Sequence, residues 1–175
     1  MKYFTRELWE SFQNTETFDQ CDKIWIENLK KYNEQLDSLQ SRFNKDAFHF
    51  IKEESIHDGN LVSFEVINVN ELNRVKDKTY KIKRRIREPI SVVIKVLSEG
   101  ILYELYYSLV KNLNVKFSGE SDLFQPYFRD FGDWGYDEVT SINDKVLCHE
   151  ILFSSGAEIH IEFEKMKVKR TRVIK

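Results

Sequence analysis

The spacing of the apolar residues changes at residues 55–59, and this change constrains the fold more than any other feature. Before Gly59 the chain contains neither Gly nor Pro, and apolar residues recur every three to four positions. After Gly59 they alternate every two positions. A period near 3.6 is typical of helices and a period of 2 is typical of strands. We therefore predict an α+β fold, with a helical part over 1–55 and an antiparallel β part over 60–170.

The size of the chain favours one domain. Its 175 residues, 41% of them hydrophobic, are enough for one well-packed core, whereas two domains would be cramped. Thirteen Phe, eight Tyr and three Trp argue against disorder, because such side chains bury large areas on folding. We therefore treat 1–175 as a single domain.

A long apolar stripe over 16–54 predicts either one long helix or a pair of helices, and a short helix beginning near Thr5 precedes it. The stripe recurs at steps of three and four residues: Phe18, Cys21, Trp25, Leu29, Tyr32, Leu36, Leu39 and Phe43. A break is expected at 44–46. The stripe could form a coiled-coil seam, but we expect it to pack within the chain, because a β-sheet needs covering.

The β part contains six strand candidates, at 61–67, 90–97, 101–107, 136–142, 146–153 and 157–168. Turn residues at 98–100, 143–145 and 154–156 separate neighbouring strands. These features predict N-terminal helices packed on one six-stranded, mostly antiparallel sheet, whose strand order stays open. The stretch 69–88 either extends a strand or forms a helix.

The last hairpin permits a more detailed prediction. If Ser155 and Gly156 are the two central turn residues, Cys148 faces Phe163 on the core side. His149, His160 and Glu162 then share the outer face, where two imidazoles and a carboxylate are weak candidates for a zinc or iron site. Ordinary cross-strand pairs of histidine and acid explain the same pattern, and we favour that interpretation. A change of apolar parity predicts a bulge near 164–165.

The charges are strongly segregated along the chain. Residues 119–164 carry eleven acidic and two basic residues, whereas residues 59–118 carry six acidic and eleven basic ones. The basic run over 74–87 and the basic C-terminal residues would suit phosphate, but no nucleic-acid motif surrounds them. We therefore expect acidic residues of neighbouring strands to neutralise these basic residues within the sheet, and we do not expect a nucleic-acid partner.

Two isolated cysteines, Cys21 and Cys148, lack the spacing of a metal finger and are typical of a reducing compartment. The N-terminal residues lack the apolar core of a signal peptide. No stretch reaches the roughly 20 apolar residues of a membrane span. We predict a cytoplasmic protein with no membrane association and no cofactor.

The junction between the helical and β parts contains His57 and Asp58 before Gly59. The two side chains could act as an acid–base pair. Alternatively they form a turn in which Asp58 accepts backbone hydrogen bonds and Gly59 has a positive φ. We favour the turn.

The segment 124–138 is rich in both aromatic and acidic residues and includes two Gly and one Pro. Loops of this composition often bind partners. The binding candidates in it are Tyr127, Phe128, Asp130, Asp133, Trp134, Tyr136 and Asp137. Alternatively Phe124, Phe128 and Trp134 close the open end of the core, and both interpretations remain open.

Three parts of the chain resemble a known family. They are the start, MKYFTRELW, the Ile56, His57 and Asp58 junction, and the stretch YDEV at 136–139 before the final hairpin. Together they are similar to a family of uncharacterised, domain-of-unknown-function proteins from Gram-positive bacteria (Firmicutes) that opens MKYFTKE and carries an LHD junction. The resemblance implies a bacterial, cytoplasmic α+β protein and assigns no activity.

We expect a non-enzymatic binding or interaction protein, whose partner is another protein or a second copy of the chain. An immunity-like role is one form of this expectation, by analogy with other small acidic proteins. The alternative is a metal-dependent hydrolase or other small enzyme that uses His57 and Asp58, or His149 and His160. No catalytic residue is assigned.

Overall fold

The structure, a computed structural model, describes residues 1–12, 18–68, 90–117 and 131–173. The helices in these ranges are α1 (Arg6–Ser11), α2 (Phe18–Ser38) and α3 (Lys45–Glu53), with a 3-10 helix at Gln40–Arg42. The strands are β1 (Asn60–Ile67), β2 (Ser91–Ser98), β3 (Ile101–Ser108), β4 (Asn112–Lys116), β5 (Trp134–Ser141), β6 (Leu147–Phe153), β7 (Glu158–Phe163) and β8 (Lys165–Arg172). The α+β fold class is confirmed.

The strands form two four-stranded antiparallel sheets, in the orders β1-β2-β3-β8 and β4-β7-β6-β5. The prediction of one six-stranded sheet is therefore wrong. The run 157–168 is not one strand: β7 ends at Phe163 in the second sheet, and β8 begins at Lys165 in the first. The change in apolar alternation near 164–165, which predicted a bulge, instead marks the point where the chain leaves the second sheet and enters the first. β4 was missed because its five residues contain only two apolar ones, Leu113 and Val115.

The core lies between the two sheets. The first sheet contributes Val92, Ile94, Leu105 and Tyr107, and the second contributes Leu147, Ile151, Phe153, Ile159, Ile161 and Phe163, all at most 1% exposed. Burying one such aliphatic or aromatic side chain stabilises the fold by about 1.5–3 kcal/mol. The rings of Tyr107 and Phe163 meet across the interface in an edge arrangement, 5.1 Å apart. The sheets are thus held together by tightly packed apolar side chains.

Helix α2 covers β5, an edge strand of the second sheet. The backbone N–H of Val139 donates to the Tyr32 hydroxyl at 2.9 Å, and the Gln35 amide donates to the Val139 carbonyl at 3.1 Å. These bonds satisfy backbone groups that an edge strand leaves unpaired. Cys21, Tyr32, Leu36 and Leu39 of the apolar stripe are buried, which confirms packing within the chain for these residues, whereas Leu29 is 41% exposed.

The helical region after residue 17 is a helix pair rather than one long helix. Asn44 lies at the predicted break and caps α3, because its Oδ1 accepts a hydrogen bond from the Ala47 N–H at 2.9 Å. Farther along, the Arg170 guanidinium binds the Glu54 carboxylate and so ties the end of α3 to β8. Within the described residues, no helix is long and apolar enough to cross a membrane.

The β6–β7 hairpin has a three-residue loop at 154–156 instead of the predicted two-residue turn. The Phe153 N–H donates to the Ala157 carbonyl at 2.9 Å, and Gly156 has a φ of 81°. A left-handed glycine at the end of a three-residue loop is a common hairpin geometry. Ile151 therefore pairs with Ile159, one residue away from the predicted register. Since side chains alternate along a strand, this shift moves every residue of β6 to the opposite face.

Candidate metal centre

The junction turn serves a structural role. Asp58, not Gly59, has the positive φ, 62°, so that prediction is wrong. Gly59 is required for a different reason: a Cβ there would lie 2.7 Å from the Ile56 carbonyl oxygen and 2.8 Å from Val96 Cγ1. His57 Nδ1 lies 3.0 Å from the Asp58 carboxylate, and both side chains are exposed. The Asp58 N–H donates to the Trp134 carbonyl, which ties the turn to β5.

The described part of the aromatic and acidic segment is divided between core and surface. Trp134 is completely buried, and its Nε1 donates to the Asp137 carboxylate at 2.9 Å. Tyr136 packs against Trp25 at 4.7 Å, and Asp133 is exposed. The other binding candidates, Tyr127, Phe128 and Asp130, lie outside the described residues. The binding role of this segment stays a prediction.

His149 lies on the inner face of the second sheet, where all of its polar atoms are satisfied. Its Nδ1 is 2.7 Å from the Tyr107 hydroxyl, and its Nε2 is 2.9 Å from the Asp137 carboxylate. Burial raises the pKa of Tyr107 well above its usual value, so the hydroxyl stays neutral and donates to Nδ1. The Nε2–H then donates to Asp137. This buried network bonds β3 of one sheet to β5 and β6 of the other.

The prediction that His149 and His160 share one face is wrong, because the three-residue loop places them on opposite faces. His149 pairs with Ile161 on the inner face, and His160 pairs with Glu150 on the outer face. His149 is completely buried, whereas the His160 side chain is 31% exposed. Of the predicted metal candidates, only His160 and Glu162 lie together.

The outer face instead brings together Cys148, Glu150 and His160. In the part of the chain that the structure describes, these residues form the one group of three or more Cys, His, Asp or Glu whose ligand atoms lie within 4.8 Å of one another. His160 Nδ1 is 3.5 Å from Cys148 Sγ and 3.5 Å from Glu150 Oε1. Ligand atoms about 2.0–2.3 Å from a tetrahedral zinc ion stand about 3.3–3.8 Å apart. Both distances therefore match the edge of such a tetrahedron.

Glu162 orients His160 from the other side of the ring. Its Oε1 lies 3.2 Å from His160 Nε2 and also accepts a hydrogen bond from the Asn112 side-chain amide at 3.2 Å. The Asn112 bond, followed by His160, lowers the pKa of Glu162, which keeps the carboxylate ionised. With Nε2–H donating to Glu162, Nδ1 carries the lone pair, and Cys148 Sγ lies beside the ring at 3.5 Å from Nδ1 and 3.6 Å from Nε2. Carboxylates bound to the second nitrogen of a metal-binding histidine have this arrangement.

The Cys148 thiol is buried beside two acids. Burial raises its pKa to about 12, with further contributions from the nearby Glu150 and Glu162 carboxylates. The sulfur is therefore protonated near neutral pH and contacts His160 as a neutral thiol. A metal ion at the sulfur would replace the proton, because only the thiolate is an effective ligand.

The N-terminal segment borders this cluster. Glu138 is completely buried, and its carboxylate accepts hydrogen bonds from the backbone N–H groups of Lys2, Tyr3 and Phe4. The Met1 ammonium donates to Glu150 Oε1 at 2.8 Å. A cation thus already lies against the cluster's carboxylate.

A cavity of about 220 Å³ opens between this segment and the β6–β7 hairpin. Its wall includes Thr5, Arg6, Glu150, Leu152, Glu158 and His160. Two members of the cluster, Glu150 and His160, therefore face a space that a small molecule can enter.

Cys148 and Glu150 were not predicted as ligands, because the predicted two-residue loop gives β6 the wrong register. In that register Cys148 faced the core. The signal that could have corrected it is Gly156, since a glycine at the third loop position favours the three-residue hairpin. That choice places Cys148, Glu150 and His160 on one face.

Comparison with known proteins found no matching family model, no matching curated protein and no matching solved structure.

Proposed function

We propose that this chain is a binding protein whose ligand is a thiophilic divalent metal ion of the zinc class. The ligand atoms are Cys148 Sγ, His160 Nδ1 and a carboxylate oxygen of Glu150. The observation that carries the proposal is the position of His160 Nδ1, which is 3.5 Å from both other ligand atoms. The three donors lie on one hairpin, and all their ligand atoms are within 4.8 Å of one another, so the side chains can gather around one metal ion.

The chemistry of the donors favours zinc over harder cations. Thiolate and imidazole ligands select zinc and related transition metals, whereas calcium and magnesium require a shell of oxygen atoms. A thiolate and a carboxylate together supply two negative charges, which balance a divalent ion in a half-buried site. The His160–Glu162 hydrogen bond supports the proposal further, because it fixes the tautomer that coordination requires.

The Met1 ammonium group does not oppose this proposal. It shares Glu150 Oε1 through a 2.8 Å contact, and the Glu150 side chain is 24% exposed. A divalent ion carries twice the charge and binds the thiolate as well, so it competes well for this carboxylate. The ammonium would then shift towards solvent or lose its proton.

The test is a zinc titration against a chromophoric chelator, with the wild-type protein and two cysteine variants. We expect the wild type to bind one zinc ion per chain and Cys148→Ala to bind at least ~100-fold more weakly, since even indirect partners of a metal contribute 10–100-fold. Cys21→Ala is the matched control, because Cys21 is also a buried free cysteine but lies on α2. It should bind zinc as the wild type does.

Two results would contradict the proposal. One is a wild-type protein that takes no zinc from the chelator. The other is a folded Cys148→Ala variant, with a circular dichroism spectrum like that of the wild type, that binds zinc with unchanged affinity.

A further inference from the structure

We infer that the outer edge of β1 is a docking site for an extended segment of another protein, in which basic and apolar residues alternate. The inference concerns the first sheet and is independent of the proposed metal centre in the second. The segment adds a fifth strand to the sheet β1-β2-β3-β8. In this mode of recognition, main-chain hydrogen bonds hold the added strand and its side chains provide the selectivity.

The two sheets have four edges, and β1 is the long one that the described helices leave open. Helix α2 closes β5 through the bonds of Tyr32 and Gln35 to Val139. The Asn44 amide, at the start of α3, donates to the Met166 carbonyl of β8 at 2.7 Å. The remaining edge, β4, has five residues and ends in a lysine, features that discourage strand addition. No helix in the described ranges bonds to β1.

The second half of β1 presents a regular edge. A bulge lies between Leu61 and Ser63, and residues 63–67 then pair with β2 without interruption. Asn60, before the bulge, forms a bridge to Asp133, so the outer side of β1 is used at its start. Beyond that bridge, no described strand pairs with this side. Residues 63–67 contain neither Lys nor Pro, which commonly protect an edge.

Charges of alternating sign cross the outer face of the first sheet and end at Glu65. Lys169 of β8 binds Glu104 of β3 at 2.7 Å, and Lys95 of β2 binds Glu65 at 3.1 Å. Lys95 and Glu104 are directly opposite in the register. Neighbouring strands are stabilised by opposite charges and destabilised by like charges. A strand added beyond Glu65 therefore continues the series when it brings a cation.

Glu65 can bind this cation without losing Lys95. Its Oε1 accepts both the Lys95 ammonium and the Ser63 hydroxyl, whereas no described residue bonds to its Oε2. The Glu65 side chain is 47% exposed at the edge of the sheet. A lysine or arginine on the added strand can therefore reach the second oxygen.

Val66 determines the other half of the partner's pattern. It is opposite the completely buried Val92, on the inner face of the sheet, yet it is 51% exposed because no strand lies beyond β1. Successive side chains of a strand point to opposite faces. A strand that places a cation beside Glu65 therefore places its next side chain beside Val66, where an apolar group is favoured.

A second copy of the chain does not fit this edge. Its β1 would bring another Glu65, and like charges on adjacent strands are unfavourable. Its β8 has the required alternation, KMKVK over 165–169, but the Asn44 bond to Met166 closes the outer side of that strand. The occupant is therefore a segment of a different protein.

The test measures the binding of two fluorescently labelled peptides, KVKVKVK and EVEVEVE, to the full chain by fluorescence anisotropy. We expect the basic peptide to bind saturably and the acidic peptide to bind at least several-fold more weakly. Hydrogen exchange then locates the bound peptide: it should protect amides of residues 63–67 and leave those of β4 unchanged. No binding of the basic peptide, equal binding of the two peptides, or protection away from β1 would overturn the inference.

The role of Glu65 has its own test. We expect Glu65→Lys to weaken the basic peptide several-fold and to strengthen the acidic one. Glu27→Lys on α2 is the matched control, because it changes the net charge equally at an exposed position and should leave both affinities unchanged. Glu65→Gln is a second variant, which avoids a new charge beside Lys95 and should weaken the basic peptide alone. Equal effects of the Glu65 and Glu27 variants would overturn the assignment of Glu65 as the cation partner.

Discussion

The two histidines of the β6–β7 hairpin occupy opposite faces of one sheet and have opposite properties. His149 is completely buried, and Tyr107 and Asp137 satisfy both of its nitrogens. His160 is part-exposed, held by Glu162 through one nitrogen, and presents the other to a thiol and a carboxylate. One imidazole therefore stabilises the interface between the sheets, and the other is available to a ligand.

The environment of each histidine depends on the face of the sheet that it occupies. The two residues are eleven positions apart on one hairpin, and a one-residue change in loop length decides whether His149 shares the outer face with His160 or enters the core. A buried polar network is stable only when every member is bonded. The inner face meets that condition within the protein, whereas on the outer face His160 Nδ1 lies 3.5 Å from the Cys148 thiol and 3.5 Å from the Glu150 carboxylate.

The largest expected effect comes from removing the inner histidine. His149→Ala would leave the Tyr107 hydroxyl and one Asp137 oxygen without their partner and would open a cavity between the sheets. We expect the free energy of unfolding to fall by about 3–5 kcal/mol. Urea denaturation of the metal-free protein measures it.

The same measurement on His160→Ala is the matched comparison. Its side chain is part-exposed, so we expect a loss within about 1 kcal/mol, together with the loss of zinc binding. Equal destabilisation by the two variants would show that the faces do not differ as described.

The next effect concerns the acid that orients His160. Glu162→Gln removes the charge that holds the imidazole, and we expect zinc affinity to fall by about 10–100-fold. Glu158→Gln, two residues before His160 on the same face, should stay within about twofold, because Glu158 pairs with Lys116 instead. Competition with a chromophoric chelator measures both variants, and a similar loss in each would mean that only the total charge of the face matters.

The smallest effect is an alkaline pH dependence of the inner network. Burial raises the pKa of Tyr107 well above 10.0, so the folded state retains a proton that the unfolded chain loses above that pH. The stability linked to this group is complete below pH 10 and falls by about 1.4 kcal/mol per pH unit above it.

Tyr107→Phe should remove this pH dependence. Above pH 10 its free energy of unfolding should therefore fall less steeply with pH than that of the wild type, by the slope that corresponds to one proton. Denaturation midpoints between pH 9 and 11 measure the two slopes. Parallel curves would mean that Tyr107 ionises equally in both states, against the described burial.

Local sequence patterns were sufficient to predict the class of the fold. Turn residues at 98–100 and 143–145 and the helix break before Lys45 appear where the spacing placed them. The division into two sheets could not be predicted, since the only local sign in residues 157–168 is the change of apolar parity near Glu164, which a bulge within one strand explains equally well. Pairing between distant strands decides it.

The candidate site was predictable only in part, for the same reason. His160 and Glu162 have the right residue types for ligand chemistry and were noticed. The face that Cys148 and Glu150 occupy depends on the register of the hairpin. Sequences that form two-residue and three-residue loops differ little, yet the choice between them reverses the faces of β6. Whether the segment 124–138 binds a partner stays a prediction, as does membership of the Gram-positive family.

The most direct test of the central claim is X-ray absorption at the zinc edge of the zinc-loaded protein. We expect one sulfur ligand at about 2.3 Å and nitrogen and oxygen ligands at about 2.0–2.2 Å, with the sulfur absent in Cys148→Ala. A first shell of nitrogen and oxygen alone in the wild type, or a sulfur ligand that persists in Cys148→Ala, would contradict the assignment of Cys148, Glu150 and His160 as the metal centre.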